Sequence, residues 1–284
     1  MISLTAISET PTYIARYVSI RDSKKTTTRA PLTVEHALIE SRYKSFDQAV
    51  KSGRLESLTT NPKVLLIRDD LRACYKGPTA PLKELKKAIK AAQLQRILKY
   101  CPMCGTTLPT TFDHYLPAVK FPEFSVHPLN LVPCCAKCNS TKDDDWLCAT
   151  GKRQFLHAYT DSLPDLQFLS VDLVVHPALT AVGAKFSLSK PSSMALSKWE
   201  LISTHFSRLK LLDRYNEQCN DQIAEILADC KIFSDTAGGH GDVRLFLKRQ
   251  ATDRASVYGR NHWVVVLMSM MSDHVDFPAW VAAA

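Results

Sequence analysis

Two Cys-x-x-Cys pairs, Cys101/Cys104 and Cys135/Cys138, lie within one short stretch of the chain. Asp113-His114 and Asn130 stand between them, and Asn139 and Lys142 follow the last cysteine. Two thiolates at i and i+3 can grip one metal from a tight turn, and two such turns complete a tetrahedron. The spacing therefore predicts structural zinc on Cys101, Cys104, Cys135 and Cys138. Cys134 is an alternative third ligand, because Cys134-x-x-x-Cys138 is also an allowed spacing; Cys135 is preferred because it repeats the first pair. Thirty residues separate Cys104 from Cys135, more than a minimal zinc ribbon needs, and that excess carries the polar residues. Nine cysteines, an odd count, with no signal peptide in front argue against a secreted disulfide scaffold. Four thiolates leave zinc no open position, which makes a zinc hydrolase the weak reading.

The polar residues suit a different reaction. Histidine is the side chain best fitted to take a proton from water near neutral pH. An aspartate next to it can hold a divalent cation, and Asn139 offers a neutral oxygen to the same ion. Hard oxygen donors favour magnesium or manganese over zinc. One such ion polarises a phosphodiester and steadies the leaving 3′ oxygen. Each residue also has an ordinary reading: a lone Asp-His is usually a surface pair, and Asn130 before Leu131 could be a turn residue. His127, between the pairs, reads as an ordinary loop histidine. What singles out Asp113, His114 and Asn139 is their joint placement within a double zinc knuckle.

The ordered pattern Cys-x-x-Cys, Asp-His-x-x-Pro (Asp113, His114, Pro117), Asn-Leu (Asn130, Leu131) and Cys-x-x-Cys-Asn-x-x-Lys (Cys135 to Lys142) resembles the HNH endonucleases, the ββα-metal or His-Me finger class. The resemblance covers about 45 residues. It implies that His114 is the general base and that Asp113 is a ligand of the catalytic metal. It implies that Asn130 orders the loop between two strands and helps to orient the base. Asn139 stands at the last histidine of the family name and would bind metal through its amide oxygen. Lys142 matches a basic position near the start of the family's helix, where it would contact a phosphate. DNA is the family's usual substrate; because such a site reads a phosphodiester and not a base, RNA stays open beside it. HNH cores with private flanking domains occur in restriction, mobile-element and anti-phage defence nucleases, and in defence systems an ATPase or other protein partner often accompanies them.

Elements must position this site. Residues 1–100 hold 19 Lys/Arg against 9 Asp/Glu, a balance of +10, while the remainder carries −2, within a net charge of +8. A basic region beside a nuclease core suits a phosphate backbone, although a surface with surplus lysine is the common alternative. Tyr13–Val18 reads as a short strand, and Arg21, Lys24, Lys25 and Arg29 as a basic loop or arm. Residues 32–56 and those after Asn61-Pro62 have helical spacing. The clearest helix spans 81–99, with Pro81 in its first turn, Leu82, Leu85, Ile89, Leu94, Ile97 and Leu98 on one side and Lys83, Lys86, Lys87 and Lys90 on the other; it runs straight into Cys101. Strands are expected over 110–116 and 130–133. A helix should start near Asn139 with Asp143–Asp145 in its first turns, where acids suit the dipole.

Further on, 155–159 should continue a helix, 166–175 and 186–188 should pair as strands, and helices should follow from Ser197 to a break at Gly238-Gly239. Val243–Tyr258 and Trp263–Met271 should also be helical. At 45% hydrophobic residues the 284-residue chain can bury a sizeable core, and no apolar run approaches the ~18 residues of a membrane span. A cytoplasmic protein is expected.

The expected fold is α+β, with mainly helical flanking regions around a central ββα-metal core stapled by a four-cysteine zinc site. Residues 1–100 form a basic, mainly helical region for nucleic-acid or partner contact. Residues 101–160 form the nuclease core, and 161–284 a mixed, then helical region for support or partner docking. The expected function is metal-dependent hydrolysis of nucleic acid. The alternative is a zinc-ribbon module that binds nucleic acid or a partner without catalysis.

Overall fold

Among the described residues, the first hundred build six helices: α1 (Tyr13–Asp22), α2 (Thr26–Val34), α3 (His36–Lys51), α4 (Pro62–Leu66), α5 (Arg68–Lys76) and α6 (Ala80–Ala91). The structure is a computed structural model that describes residues 2–94, 96–176, 181–236, 238 and 241–284. The strand expected at Tyr13–Val18 is instead the start of α1. Thr12 caps it, its side chain accepting a hydrogen bond from the Ala15 amide. Tyr13, Tyr17 and Ile20 then recur at helical spacing and are buried. The expected basic arm is folded as well. Arg21 pairs with Asp22 at 2.7 Å, and Lys24 donates to the Gly77 carbonyl at the end of α5. Asn61 caps α4 by accepting from the Lys63 and Val64 amides, with Pro62 in the first helical position.

The helix α6 buries Leu82, Leu85 and Ile89 but stops at Ala91, well short of Lys99. Leu94, expected on its apolar side, is exposed, and Ile97–Lys99 forms a 3-10 turn. The helix therefore does not run into Cys101. Next come β1 (Thr111–His114), a loop with 3-10 turns at Pro122–Phe124 and Pro128–Asn130, β2 (Leu131–Cys134) and α7 (Ala136–Lys142). β1 and β2 pair antiparallel, with Asp113 opposite Val132 and His114 opposite Leu131. α7 starts three residues earlier than expected, because Cys135 caps it by accepting from the Cys138 amide. Asp143 consequently closes the helix, with φ 46°, so Asp143–Asp145 follow the C-terminal end, where the dipole disfavours acids.

Residues 155–159 are not helical. Phe155, Leu156 and His157 are buried, and the segment is held by discrete hydrogen bonds, among them Tyr115 Oη to the Phe155 carbonyl and the His157 amide to Asp161. The remainder comprises β3 (Leu169–His176), β4 (Ala181–Leu188), α8 (Leu196–Arg208), α9 (Leu211–Thr236), α10 (Val243–Tyr258), α11 (Trp263–Asp273) and α12 (Phe277–Ala283). β3 and β4 pair antiparallel with Val171 opposite Phe186. α9 ends at Thr236, ahead of the expected glycine break, of which Gly239 lies outside the described residues. The protein is thus α+β, dominated by helices, with two small two-stranded sheets among the described residues. Among the described residues, no helix is long and apolar enough to cross a membrane.

The chain divides into two compact units. One comprises Ser3–Met103 and Thr107–Ser162, which takes in most of residues 1–100 and most of 101–160. Its centre is aromatic: Tyr43 and Phe46 pack on Phe124 and His127, with ring centroids 4.3–6.1 Å apart. His127, though in a loop, is fully buried, bonded to Asp47 through Nε2 and accepting from the Leu129 amide. The other unit comprises Leu163–Ala284 with Cys104–Thr106 and Ile2. There Tyr215 stacks on Trp263 at 5.6 Å. Trp263 Nε1 donates to the Gly105 carbonyl and Tyr215 Oη to the Cys104 carbonyl. Gly105 has φ +71°, which favours glycine, and a Cβ there would meet the His262 ring at a tight 3.3 Å.

Candidate functional site

The strand pair brings Asp113 and His114 to one end of β1, and the loop back to β2 is fixed by Asn130. That side chain is fully buried and bonds the loop through both of its polar atoms. Nδ2 donates to the Leu116 and Phe124 carbonyls, both at 3.1 Å, and Oδ1 accepts from the Leu116 amide at 2.7 Å. The Asn130 carbonyl accepts from the Tyr115 amide. One asparagine thus ties the residues just after His114 to the far side of the loop.

A cleft of about 210 Å³ opens at this end of the strands, lined by Asp113, His114 and Asn139 with Asp143, Asp144 and, from α5, Arg72, Tyr75 and Lys76. His114 Nε2 donates to the Ser125 carbonyl at 2.9 Å, and the edge of its ring meets Tyr75 at 4.4 Å. With Nε2 carrying the proton, Nδ1 keeps the lone pair and has no protein partner among the described residues. Burial pushes the imidazole pKa down to about 4, opposed by the bond to Ser125 and assisted by the nearby cations Lys142, Lys86 and Arg72. The ring is therefore neutral at neutral pH, with its Nδ1 lone pair free to accept a hydrogen bond.

Asp113 is 3% exposed. Burial raises its pKa and Lys142 pulls it back. The Lys142 ammonium lies 3.2 Å from Oδ1 and 3.1 Å from Oδ2, and donates to the His114 carbonyl at 2.8 Å. Oδ2 takes no well-formed hydrogen bond. Lys142 itself is 0% exposed. This corrects its expected role as a phosphate contact. The ammonium is enclosed in the protein, where it counterbalances Asp113 and anchors the end of β1. Asn139 is half-buried in the cleft, and its amide makes no hydrogen bond among the described residues.

Asp113 and Asn139 thus provide hard oxygen donors, one of them a buried carboxylate oxygen without a hydrogen-bond partner, which fits a magnesium-type ion. Few protein ligands are in reach. Among the described residues, the His, Cys, Asp and Glu donors that converge closely enough in threes or more to cage an ion are the four cysteines described next. Magnesium tolerates such a sparse set because it retains water and takes oxygens from its substrate.

The Sγ atoms of Cys101, Cys104, Cys135 and Cys138 lie within 4.8 Å of one another, and all four residues are buried and free of disulfides. Such a set can hold a structural metal such as zinc. Cys135 and not Cys134 belongs to it. Backbone amides already point at the sulfurs: Cys135 N donates to Cys101 Sγ at 3.3 Å and Cys138 N to Cys135 Sγ at 3.4 Å. Arg214 donates to Cys104 Sγ at 3.2 Å and to Thr106 Oγ1 at 3.0 Å. These donors suit thiolates. Cys134 sits on β2 beside Thr111, and burial pushes its thiol pKa up to about 12, which makes it an inert core thiol.

Arg72, Tyr75, Lys76, Asp143 and Asp144 were not singled out from the sequence. The acids were read as a helix start. The α5 residues lie some forty positions before Asp113, and their i, i+3, i+4 spacing gives only a shared helix face.

Over 153 residues the chain is 27% identical to a curated protein, Protein ea31 of Escherichia phage lambda, covering 53% of this chain and 51% of that one. The chain therefore spans about half the length of the curated relative it matches. No family model and no solved structure matches the chain.

Proposed function

We propose that the cleft is the hydrolytic site of a metal-dependent endonuclease of the HNH, ββα-metal class, acting on nucleic acid and most naturally on DNA. One observation carries the reading: a neutral histidine with an unengaged Nδ1 shares a cleft with a buried carboxylate and a free amide oxygen, at the junction of two antiparallel strands and a helix. His114 Nδ1 takes a proton from water as the water oxygen bonds to phosphorus. The P–O3′ bond breaks, and the 3′ oxygen takes a proton from solvent. The products are a 5′ phosphate and a 3′ hydroxyl. A magnesium or manganese ion on Asp113 and Asn139 would supply charge stabilisation to the phosphodiester and the leaving oxygen. Asn130 keeps the loop that carries Ser125 in register with the base, and Ser125 fixes the tautomer. Zinc on the four cysteines holds geometry only. The similarity to a phage protein fits a role in phage biology; defence, and an ATPase or other protein partner, are part of the proposal from the HNH resemblance.

One observation favours a second reading, a zinc-ribbon adaptor without catalysis: Lys142 already balances the charge of Asp113. The same assay separates the two. Purified protein is incubated with supercoiled plasmid and, separately, with single-stranded RNA, with and without magnesium, beside His114→Ala. The nuclease reading expects magnesium-dependent cleavage that His114→Ala loses. Equal cleavage by both proteins, or none by the parent on either substrate, overturns it.

A further inference from the structure

Lys142 and Lys86 act on His114 at this cleft, and both are engaged. Lys142 is buried against Asp113. The Lys86 ammonium lies over the Tyr75 ring, 3.9 Å from its centroid, and within reach of Phe112. The cations among the cleft-lining residues are not engaged in this way. Arg72 and Lys76, one helical turn apart on α5, both line the cleft, and neither makes a hydrogen bond or ion pair among the described residues.

Their setting is not that of ordinary surface lysines. Leu71 and Cys74 bury the opposite face of α5. Tyr75 lies between the two cations in sequence and is locked in place, its ring against His114 and its hydroxyl donating to the Phe112 carbonyl at 3.4 Å. Arg72 is half-buried, and its backbone lies within α5. The cleft lining therefore carries both signs: Asp113, Asp143 and Asp144 with the Asn139 amide from β1 and the end of α7, and Arg72 and Lys76 from α5. A lone anion or a lone cation would use only one of these sets, whereas a phosphodiester accompanied by a divalent cation uses both. A guanidinium offers paired donors matched to two phosphate oxygens, and a lysine a single point charge.

We infer that Arg72 and Lys76 form a phosphate clamp, with Arg72 gripping the non-bridging oxygens of the phosphodiester at His114 and Lys76 holding a neighbouring phosphate of the same strand. This deepens the nuclease reading and rests on it. It assigns the substrate's orientation: phosphate oxygens toward α5, cation toward β1 and α7. It also moves the phosphate contact expected of Lys142 to a different helix.

The test measures binding without chemistry. In a His114→Ala background, without magnesium, a labelled duplex of mixed sequence is titrated at several salt concentrations, comparing Arg72→Ala, Arg72→Gln, Arg72→Lys, Lys76→Ala and the exposed control Lys44→Ala. Each phosphate contact removed should lower the slope of log affinity against log salt by about 0.9. Arg72→Ala and Arg72→Gln should each weaken binding about tenfold or more. Arg72→Lys should keep the slope and lose part of the affinity. Lys76→Ala should lower the slope with a smaller loss, and Lys44→Ala should change neither. Zinc content and melting temperature show that each variant is folded; Arg72→Gln stands in if Arg72→Ala is not.

Unchanged slope and affinity in both Arg72→Ala and Arg72→Gln overturns the clamp. If the chain with His114 intact still cuts plasmid in that case, the nuclease reading survives alone. If the intact chain neither binds nor cuts nucleic acid, both fall together.

Discussion

Replacing Lys142 with methionine should be among the most damaging single changes near the cleft, and its cost can be worked from the geometry. The ammonium is 3.1–3.2 Å from both carboxylate oxygens of Asp113, and both side chains are almost wholly buried. At an effective dielectric near 20, two unit charges at that distance attract by about 5 kcal/mol. Forming the pair also required desolvating both groups, so its net worth is much smaller. Breaking it is a different matter, because the carboxylate stays buried with nothing to balance it; such deletions cost about 3–5 kcal/mol. The His114 carbonyl also loses its donor, about 1 kcal/mol of that total.

Asp113→Asn alone leaves a buried ammonium facing a neutral amide and should cost a comparable amount. The double variant Lys142→Met/Asp113→Asn removes both charges and should recover all but about 1–2 kcal/mol, the share owed to the carbonyl and to imperfect packing. Hydrogen exchange at the amides of β1, β2 and α7, in zinc-containing buffer without magnesium, reads the local opening energy directly. Additive single losses in the double variant, or a Lys142→Met cost below about 1 kcal/mol, would refute the claim that this pair fixes the site.

Three further outcomes follow from the same contacts. Purified protein should carry one zinc per chain; Cys135→Ser should lose it and Cys134→Ser should keep it, as read by metal analysis after gel filtration, and equal retention by both would contradict the assignment of ligands. Asn130→Ala should cost about 3 kcal/mol in urea unfolding, because it deletes three buried hydrogen bonds and strands the Leu116 carbonyl and amide (the Phe124 carbonyl keeps the His127 amide), while Asn130→Asp should also be destabilising because two donated bonds become repulsive contacts. His157 predicts a pH effect. Its ring is fully buried, bonded to the Leu129 carbonyl and Thr160, and burial pushes its pKa down to about 4. The unfolded chain binds this proton below about pH 6.5 and the folded chain does not, so stability should fall as pH drops from about 6.5 toward 4, by up to about 3 kcal/mol from this residue. Urea unfolding across that range should show a shallower fall in His157→Gln; equal slopes would mean that His157 titrates alike in both states.

Sequence carried the parts of the site that are close in the chain. Cys-x-x-Cys spacing marks a four-thiol cage because metal geometry allows few alternatives, and the place of Asp113 and Leu131 within the motif led to the two strands that pair. α10 was legible to its ends because an aspartate caps it and a glycine follows it. Other boundaries depended on signals that spacing does not show. Tyr13–Val18 alternates well enough to suggest a strand, but a single threonine hydrogen bond starts a helix there. The start of α7 was misplaced because the capping group is a cysteine sulfur, which no propensity scale rewards; three residues of shift moved three aspartates from the favourable end of the helix to the unfavourable one. Lys142 looked like a surface cation because lysine usually is one, and only the tertiary fold shows the carboxylate beside it.

The misplaced aspartates bear on function more than on folding. Asp143 and Asp144 follow the C-terminal end of α7, where the helix dipole opposes negative charge, and Asp143 adopts a positive φ that costs energy in most residues other than glycine. Neither carboxylate is balanced by an ion pair among the described residues, and the Asp144 charge raises the pKa of Asp113 further. Nothing about local stability favours two acids at this point. A cation in the cleft would offset the electrostatic part of these penalties. On the proposed nuclease reading that cation would be the magnesium-type ion held by Asp113 and Asn139, and Lys142, which pulls the Asp113 pKa back down, would favour the carboxylate form that such an ion needs.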